Sequence, residues 1–218
     1  MGGGAFAPLY FLRKEGNFKM DEQMYVGETE KNKKPLLKES VFEWLEILVA
    51  SLIAVVIVLT CLFKVVTISG PSMSDTLLNN ERIIITGVFY TPSNGDIVVI
   101  SRNNNNSYEA TGAEPIIKRV IATEGQTVNI DFEAGVVYVD GVALEEPYTK
   151  TPTNLYEGVN FPVTVPENCV FVLGDNRNDS TDSRDPSIGD EGMIDTRYVM
   201  GKAVLRFYPF SKFGVIEK

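Results

Sequence analysis

The most constraining feature of this sequence is an apolar run of seventeen residues without a charge, from Ile47 to Phe63. A membrane-spanning helix needs about 20 mostly apolar residues, and apolar side chains continue the run on both sides. The sequence therefore predicts a transmembrane helix over residues 43–65. A buried helix or a pair of strands is the alternative, but no other part of the chain is as long or as uniformly apolar.

The flanks of the run predict an uncleaved anchor and its orientation. More than forty residues precede the run, and no small-x-small cleavage site follows it, unlike in a secretory signal sequence. Seven lysines and arginines lie before the run, whereas Lys64 is followed by none until Arg82. Because positively charged flanks stay in the cytoplasm, we expect a single-pass protein of the cell membrane. Residues 1–42 then form a disordered cytoplasmic tail, and residues 66–218 form an extracytoplasmic domain.

The charges are distributed unevenly along the chain. Residues 1–64 hold eight basic and eight acidic groups, so the net charge of -9 belongs to residues 65–218. Nucleic-acid binding requires a basic surface, and the sequence therefore predicts no nucleic-acid partner.

The chain has no histidine and only two cysteines, Cys61 and Cys169. These counts exclude a Ser-His-Asp triad, a Cys-His pair, a His-ligated metal centre and a disulfide framework. We expect neither a metal site nor a cofactor. A proton that is transferred near neutral pH must then be carried by a lysine, a tyrosine or a carboxylate, unless an external cofactor carries it.

Beyond residue 65 the sequence is a series of short segments rich in Val and Ile, bounded by Gly, Pro, Asn or Asp, which predicts strands. Asp140-Gly141, directly after one of them, is a strong hairpin signal. We expect a mainly β protein: an antiparallel, folded or barrel-like β domain over residues 66–218, with a small cap subdomain at about 124–167. The predicted strands are 82–86, 96–101, 116–123, 127–132, 136–139, 163–165, 169–173 and 202–207.

Three places carry residues suited to chemistry, and the first is the segment Ile68 to Leu77. Ser72 follows Gly70-Pro71, and a serine in such a turn can present both its hydroxyl and its backbone N–H. An acyl-transfer nucleophile and its oxyanion hole need these two groups. The alternative is an ordinary Gly-Pro-Ser turn without a catalytic role.

The second place is the apolar strand that contains Lys118 and Arg119. Side chains alternate along a strand, so if Arg119 takes the solvent face, Lys118 points into an apolar one with Ile116 and Val120. Burial disfavours the ammonium and lowers the pKa of a lysine toward the range in which the neutral amine accepts a proton. The alternative is an edge strand that displays two solvated cations.

The third place is a dense polar loop, Leu173 to Pro186, which mixes acids with arginines. Asp and Arg pair in a bidentate manner, so this density indicates an internal network of ion pairs and hydrogen bonds. A calcium-binding loop is the alternative, but the spacing differs from that of an EF-hand and arginines interrupt the acids.

Four motifs follow the anchor in this order: Gly70-x-Ser72-Met73-x-x-Thr76-Leu77, Gly95-Asp96-Ile97-Val98-Val99, Lys118-Arg119-Val120-Ile121 and Gly174-Asp175-Asn176-Arg177-x-x-Ser180-x-Asp182-Ser183-Arg184. Together with the anchor, they resemble those of the bacterial type I signal peptidases, in particular the Gram-positive ones, over roughly residues 44–210. The resemblance implies an antiparallel β core and a membrane-bound serine endopeptidase that removes signal peptides from exported preproteins after small-x-small sites. The implied partners are these signal peptides and the lipid bilayer, near the secretion translocon.

The resemblance also implies roles for individual residues. Ser72 would be the nucleophile, Lys118 the general base, and Ser180 the group that orients the lysine amine. Gly70 stands where some family members have a serine that serves as second oxyanion donor, so that donor would be backbone or water. The side chains that would brace the site are Asp175, Arg177, Asp182 and Arg184. The candidates by position for shallow apolar substrate pockets are Ile68, Met73, Leu77, Ile116 and Ile117.

Asp75 departs from the family pattern, which has proline three residues after the nucleophile. Its carboxylate could pair with Lys118 and keep the amine charged, or cap the turn through its side chain, and we favour the cap. Asp75 is also the main support for an alternative function. In that alternative the protein is a catalytically inactive, membrane-tethered β domain that binds exported chains or a partner protein.

Overall fold

The computed structural model describes residues 37–101 and 115–217. Residues 1–36, which make up most of the predicted tail, lie outside this part. The first element is helix α1, Leu37–Leu62. Its portion Val41–Leu62 has 22 residues and a mean hydropathy of 2.8, so it is long and apolar enough to cross a membrane by length and composition.

The helix ends before the predicted boundary at residue 65. Strand β1, Phe63–Thr67, follows Leu62 directly and pairs along its whole length with β2, Arg82–Thr86. Phe63, Lys64 and Val65 therefore belong to the sheet. Apolar character alone does not separate a helix from a strand, which is why the sequence placed this boundary too late.

All strands belong to one compact unit, Ile47–Lys218. The remaining strands are β3 Ile97–Ile100, β4 Ile116–Thr123, β5 Thr127–Asp131, β6 Val136–Val139, β7 Val142–Ala143, β8 Val163–Thr164, β9 Cys169–Leu173, β10 Ile194–Asp195, β11 Val199–Tyr208 and β12 Gly214–Val215. In the described part, one antiparallel sheet has the order β1-β2-β11-β3-β4-β9-β10, with β12 paired to β11, and a smaller one has the order β7-β6-β5-β8.

The antiparallel β class is confirmed, and each predicted segment contains a strand. Strands β2, β4, β6 and β9 have the predicted ends, whereas β11 runs from Val199 to Tyr208 rather than over 202–207. The hairpin at Asp140-Gly141 also forms, with φ of 52° and 79° at its two residues. Both angles are positive, as a two-residue type I′ turn requires. Strand β1 and the two-residue strands β7, β10 and β12 were not predicted. β1 begins inside the apolar run, and a two-residue strand seldom shows a pattern of its own, although the two-residue strand β8 lies within the predicted segment 163–165.

The segment expected to form a cap, residues 124–167, supplies the smaller sheet. This sheet shares a hydrophobic cluster with the main one. Val128 and Val137 pack there with Phe171 and Leu173 of β9, and all four side chains are fully buried. Phe161 meets Phe171 edge to face, with ring centroids 5.9 Å apart. The smaller sheet is thus packed onto the back of β9, the strand that leads into the polar loop.

Substitution of Phe171 tests whether the two sheets share this hydrophobic cluster. We expect Phe171→Ala to lower the free energy of unfolding by about 3–5 kcal/mol, because a fully buried aromatic ring is lost between two sheets. Urea unfolding of the detergent-solubilised protein, followed by circular dichroism, measures the change. Phe210→Ala, which truncates a ring that is 80% exposed, is the control and should change the value by less than about 0.5 kcal/mol. Equal losses in the two variants would contradict the shared core.

Candidate active site

The segment that carries Ser72 is a closed loop between β1 and β2. The Ile68 N–H donates to the Glu81 carbonyl and the Asn80 N–H to the Ile68 carbonyl, both at 2.9 Å. Gly70 has φ of +90°, a left-handed conformation that favours glycine. The Leu77 N–H donates to the Met73 carbonyl at 2.8 Å, which makes one helical turn directly after Ser72. The loop therefore presents Ser72, whose side chain is half-buried, at the start of this turn.

Lys118 is buried in the interior of the main sheet. It lies on β4, pairs with Val98 of β3, and is only 3% exposed. Because paired residues share a face, Lys118 points to the side of Val98 and Val120, which belong to one apolar cluster. Lys118 is thus buried, and the alternative of two solvated cations is wrong.

The prediction that Lys118 is buried assumed that Arg119 faces the solvent. In the structure Arg119 is buried as well. It is 1% exposed on the opposite face of β4. Its Nε and Nη2 donate to the two carboxylate oxygens of Asp175 at 2.8 and 2.7 Å, and its Nη1 donates to the Gly95 carbonyl. The ring of Tyr148 lies 3.8 Å from the guanidinium carbon. A carboxylate, a carbonyl and an aromatic ring together make the burial of this cation tolerable, which strand alternation alone cannot indicate.

The backbone of Ser72, the hydroxyl of Ser180 and the strand of Lys118 meet at Gly174. Arg119 pairs with Leu173 in the antiparallel ladder, so Lys118 and Gly174 are the next residues on the two chains. A Cβ at Gly174 would collide with Ser180 Oγ and, at 2.6 Å, with the Ser72 carbonyl oxygen. Hence Ser72 and Ser180 both lie against the chain segment that follows the β9 partner of β4.

The loop after β9 also holds the Ser72 turn directly. The Asn176 N–H donates to the Ser72 carbonyl at 3.0 Å, and its side-chain amide donates to the Pro71 carbonyl at 3.2 Å. The position of Ser72 is therefore set by the polar loop as well as by its own turn.

Ser180 belongs to a buried network centred on Asp182. The Ser180 hydroxyl donates to Asp182 Oδ2 at 2.8 Å, and the Gly174 N–H donates to the same oxygen at 2.9 Å. Arg184 donates to both oxygens of Asp182, through Nε at 2.8 Å and Nη2 at 2.9 Å. Because the hydroxyl proton of Ser180 is used, its oxygen can only accept a further hydrogen bond, for example from an amine.

The remaining arginine of the loop, Arg177, pairs with Glu146. Its Nη1 donates to Glu146 Oε2 at 2.7 Å and to Thr153 Oγ1 at 2.6 Å. The loop is thus part of a network of ion pairs, as predicted, but only Asp182–Arg184 pairs two loop residues. Asp175 pairs with Arg119 of β4, and Arg177 pairs with Glu146. Among residues 37–101 and 115–217, no group of three or more carboxylate, cysteine or histidine side chains is placed to hold a metal ion.

Sequence reasoning missed three residues of the site, Glu146, Tyr148 and Glu157. All three come from the segment to which the sequence assigned no chemistry. Glu157 lies 3.3 Å from Arg184, and burial raises its pKa to about 7 even though this arginine opposes the shift. Burial and the neighbouring Glu146 raise the pKa of Tyr148. No spacing pattern identifies these residues, because their place depends on how the smaller sheet packs.

The expected side-chain cap at Asp75 is not formed. The Asp75 side chain is 72% exposed, and its carboxylate lies 3.9 Å from the ammonium of Lys150, which is itself half-exposed. A charge in this position is solvated by water, and such an exposed pair contributes at most about 1 kcal/mol.

Four of the five candidate pocket residues lie inside the protein. Each of these four is at most 7% exposed and belongs to one core cluster with Ile83 and Ile85, whereas Ile116 is half-buried at the start of β4. They can form the floor beneath a pocket, but they do not line an open one. The four are Ile68, Met73, Leu77 and Ile117.

Comparison with known proteins identifies the family of this chain. The family model described as signal peptidase, peptidase S26, matches residues 41–208. A signal peptidase I of Bacillus licheniformis is 31% identical over 188 residues, which are 80% of this chain and 92% of that protein. A probable signal peptidase I-1 of Synechocystis is 37% identical over 152 residues, covering 67% and 72%.

Among solved structures, a signal peptidase I from Enterococcus faecalis is 28% identical with a TM-score of 0.39, covering 52% of this chain and 97% of that chain. The family match defines the class: the chain is a serine endopeptidase. More particularly, it belongs to the signal peptidase family, peptidase S26.

The raised pKa of Glu157 predicts a specific pH dependence of stability. The folded protein retains at Glu157 a proton that the unfolded chain releases from its ordinary pKa of 4.5 upward, until the pH passes about 7. The free energy of unfolding should therefore fall as the pH rises through this window, by at most about 3 kcal/mol from this group. Urea unfolding at pH 5, 6 and 7.5 measures the slope.

Glu157→Gln should remove this part of the slope, whereas Glu167→Gln, which changes an exposed carboxylate, should keep it. Identical slopes for the wild type and Glu157→Gln would contradict the raised pKa.

Proposed function

We propose that this protein removes signal peptides from exported preproteins, cutting after small-x-small sites with Ser72 as nucleophile and Lys118 as general base. The observation that carries the proposal is the convergence at Gly174. There the Ser72 backbone and the Ser180 hydroxyl lie against the residue that follows Leu173, the β9 partner of Arg119, and the buried Lys118 precedes Arg119 on β4.

Lys118 is the proton carrier in this mechanism. Burial favours the neutral amine, which accepts the proton of the Ser72 hydroxyl as this oxygen attacks the scissile carbonyl. The resulting ammonium gives the proton to the leaving amine, and an acyl-enzyme remains on Ser72. The amine then takes a proton from the water molecule that attacks the ester and gives it to the Ser72 oxygen as this oxygen leaves, which restores the serine hydroxyl and the neutral amine.

The polar loop supports this chemistry by fixing the acceptor of the amine. Ser180 donates its only proton to Asp182, so its oxygen is oriented to accept from Lys118. Asp182 is held by Arg184 and by the Gly174 N–H, and all these groups are buried. A fixed hydrogen bond of this kind aims the lone pair of the neutral amine at Ser72.

The oxyanion of the tetrahedral intermediate is stabilised by the Ser72 N–H at the head of the turn. Gly70 has no hydroxyl to offer, so the second donor is a backbone N–H or a water molecule. Gly70 contributes to this site through its backbone, since its left-handed conformation lets the chain bend just before Ser72.

An extended substrate fits beside the first half of β4. This strand pairs with β3 from Ile116 to Arg119, but with β9 only from Arg119 onward. Within the described residues, the β9-side edge of Ile116 and Ile117 is therefore open, and a peptide can add to it as a strand. The core residues beneath this edge would leave only shallow depressions, which suit small side chains.

The placement of the site suits a substrate that leaves the membrane. We propose that α1 spans the membrane and that β1 starts at its extracytoplasmic surface. Phe63, the first residue of β1, pairs with Thr86, and the loop after Thr86 exposes Phe89 completely. An exposed aromatic ring next to the end of the anchor is suited to the membrane interface.

Replacement of Ser72 or Lys118 tests the mechanism. We expect Ser72→Ala to abolish cleavage of a preprotein by the detergent-solubilised enzyme. Lys118→Met, which keeps an apolar chain of similar length, should reduce the rate by about 10³-fold or more, because the base is lost. The rate should also rise between pH 5 and pH 9 as Lys118 loses its proton.

Ser187→Ala and Lys212→Met, which change residues outside the proposed mechanism, are the matched controls and should retain activity. Full activity in Ser72→Ala or Lys118→Met, or a flat pH profile, would refute the dyad. An inactive wild type that still binds preproteins would instead favour the tethered binding domain.

The orientation can be tested with single cysteines in a Cys61→Ser, Cys169→Ser background. A membrane-impermeant maleimide should label Val142→Cys, which replaces a 67% exposed residue of β7, in intact cells. Glu28→Cys should be labelled only after permeabilisation, because the lysine-rich flank stays in the cytoplasm. The reverse pattern would contradict the proposed topology.

A further inference from the structure

The hydroxyl of Thr76 makes a short hydrogen bond across the site. Thr76 lies four residues after Ser72, and its Oγ1 donates to Asp175 Oδ2 at 2.6 Å. The Asp175 side chain is fully buried. A hydroxyl that donates to a carboxylate at this distance is in the range of strong, charge-assisted bonds.

The same carboxylate binds the strand of the proposed base. Its two oxygens accept from Arg119, the residue next to Lys118, at 2.8 and 2.7 Å. Asp175 therefore connects the turn of the nucleophile to β4 through one rigid group. The positive charge of Arg119 already neutralises the Asp175 carboxylate. The hydrogen bond from Thr76 is therefore not needed for charge balance, and its effect is to orient the Ser72 turn relative to Asp175.

The Ser72 turn is consequently fixed at both ends by consecutive residues. Asn176 holds its beginning through the carbonyls of Pro71 and Ser72. Asp175 holds its end through Thr76. Between these points the turn is stiffened by the 2.8 Å hydrogen bond from the Leu77 N–H to the Met73 carbonyl, and both side chains are buried.

We propose that Thr76 is a positioning residue, whose bond to Asp175 sets the placement of the Ser72 hydroxyl relative to the Lys118 amine. The inference rests on the proposed Ser/Lys dyad. Proton transfer and attack require the reacting atoms to be close to their productive positions, and a displacement of about 1 Å can cost roughly 10²-fold in rate. Loss of the Thr76 hydroxyl frees the end of the turn that Asn176 does not hold.

Thr76→Val and Thr76→Ser provide the test in the full-length, detergent-solubilised protein. Valine keeps the shape and removes the hydroxyl, so we expect kcat for a signal-peptide substrate to fall about 10- to 100-fold while KM stays within about 3-fold. Serine keeps the hydroxyl and should restore kcat to within about 3-fold of the wild type. Thr127→Val is the matched control, because it removes a 3.0 Å bond between two threonine hydroxyls in the smaller sheet.

A double mutant separates positioning through Asp175 from a general loss of structure. If Thr76 acts through this carboxylate, Thr76→Val should have almost no further effect on kcat, measured per folded enzyme, in an Asp175→Ala background that leaves the Thr76 hydroxyl without this acceptor. Fully multiplicative effects, or a kcat loss in Thr76→Val that only matches a loss of folded protein in a thermal melt, would overturn the proposal.

The outcomes also distinguish the role of Thr76 from the proposed Ser72/Lys118 mechanism on which it rests. An inactive wild type would overturn both proposals. An active wild type that requires Ser72 and Lys118, together with a Thr76→Val variant of equal kcat, would overturn only the role of Thr76.

Discussion

The buried ion pair between Arg119 and Asp175 is the interaction on which the geometry of the site depends. Its guanidinium is 1% exposed and its carboxylate fully buried, so both charges have left water. Such burial is tolerated only when every polar atom finds a partner. The Gly95 carbonyl and the Tyr148 ring complete the surroundings of Arg119, while Thr76 completes those of Asp175. Removing one partner would leave the other charge buried, at a cost of about 3–5 kcal/mol, so the pair strongly fixes β4 against the loop after β9.

A second buried pair, Asp182 with Arg184, holds the Ser180 hydroxyl and the Gly174 N–H. The two pairs are separated by Gly174, which has no side chain and so lets Ser72 and Ser180 approach the sheet. Glu146 and Glu157 come from the segment of the smaller sheet, and each contacts an arginine of the loop. That segment is therefore part of the structural support of the site, not an appendage. The segment also packs on Phe171 of β9, the strand that leads into the polar loop, so the hydrophobic cluster shared by the two sheets helps to hold this loop in place.

Because α1 leads directly into β1, the proposed membrane attachment also fixes the distance of the catalytic domain from the membrane. No linker separates Leu62 from Phe63, and β1 is paired from its first residue. Ser72 follows within the next loop. If α1 spans the membrane, the height of the nucleophile above the bilayer is set by a paired strand rather than by a flexible tether. The boundary at Leu62 thus matters for function, although the apolar run itself gives no sign of it.

Local properties of the sequence determined much of this protein. The apolar run, the Val- and Ile-rich segments and the Asp-Gly turn determined the helix, the strands and one hairpin, because each depends on neighbours along the chain. Composition excluded histidine chemistry, and the motif order pointed to the family. Tertiary structure alone decided that Arg119 is buried, that Asp75 extends into solvent, and that Glu146, Tyr148 and Glu157 join the site. It also decided the contact between Thr76 and Asp175, which lie 99 positions apart in the sequence. The reason is physical: the burial and pairing of a charge depend on which distant groups surround it, and only the packed chain brings those groups together.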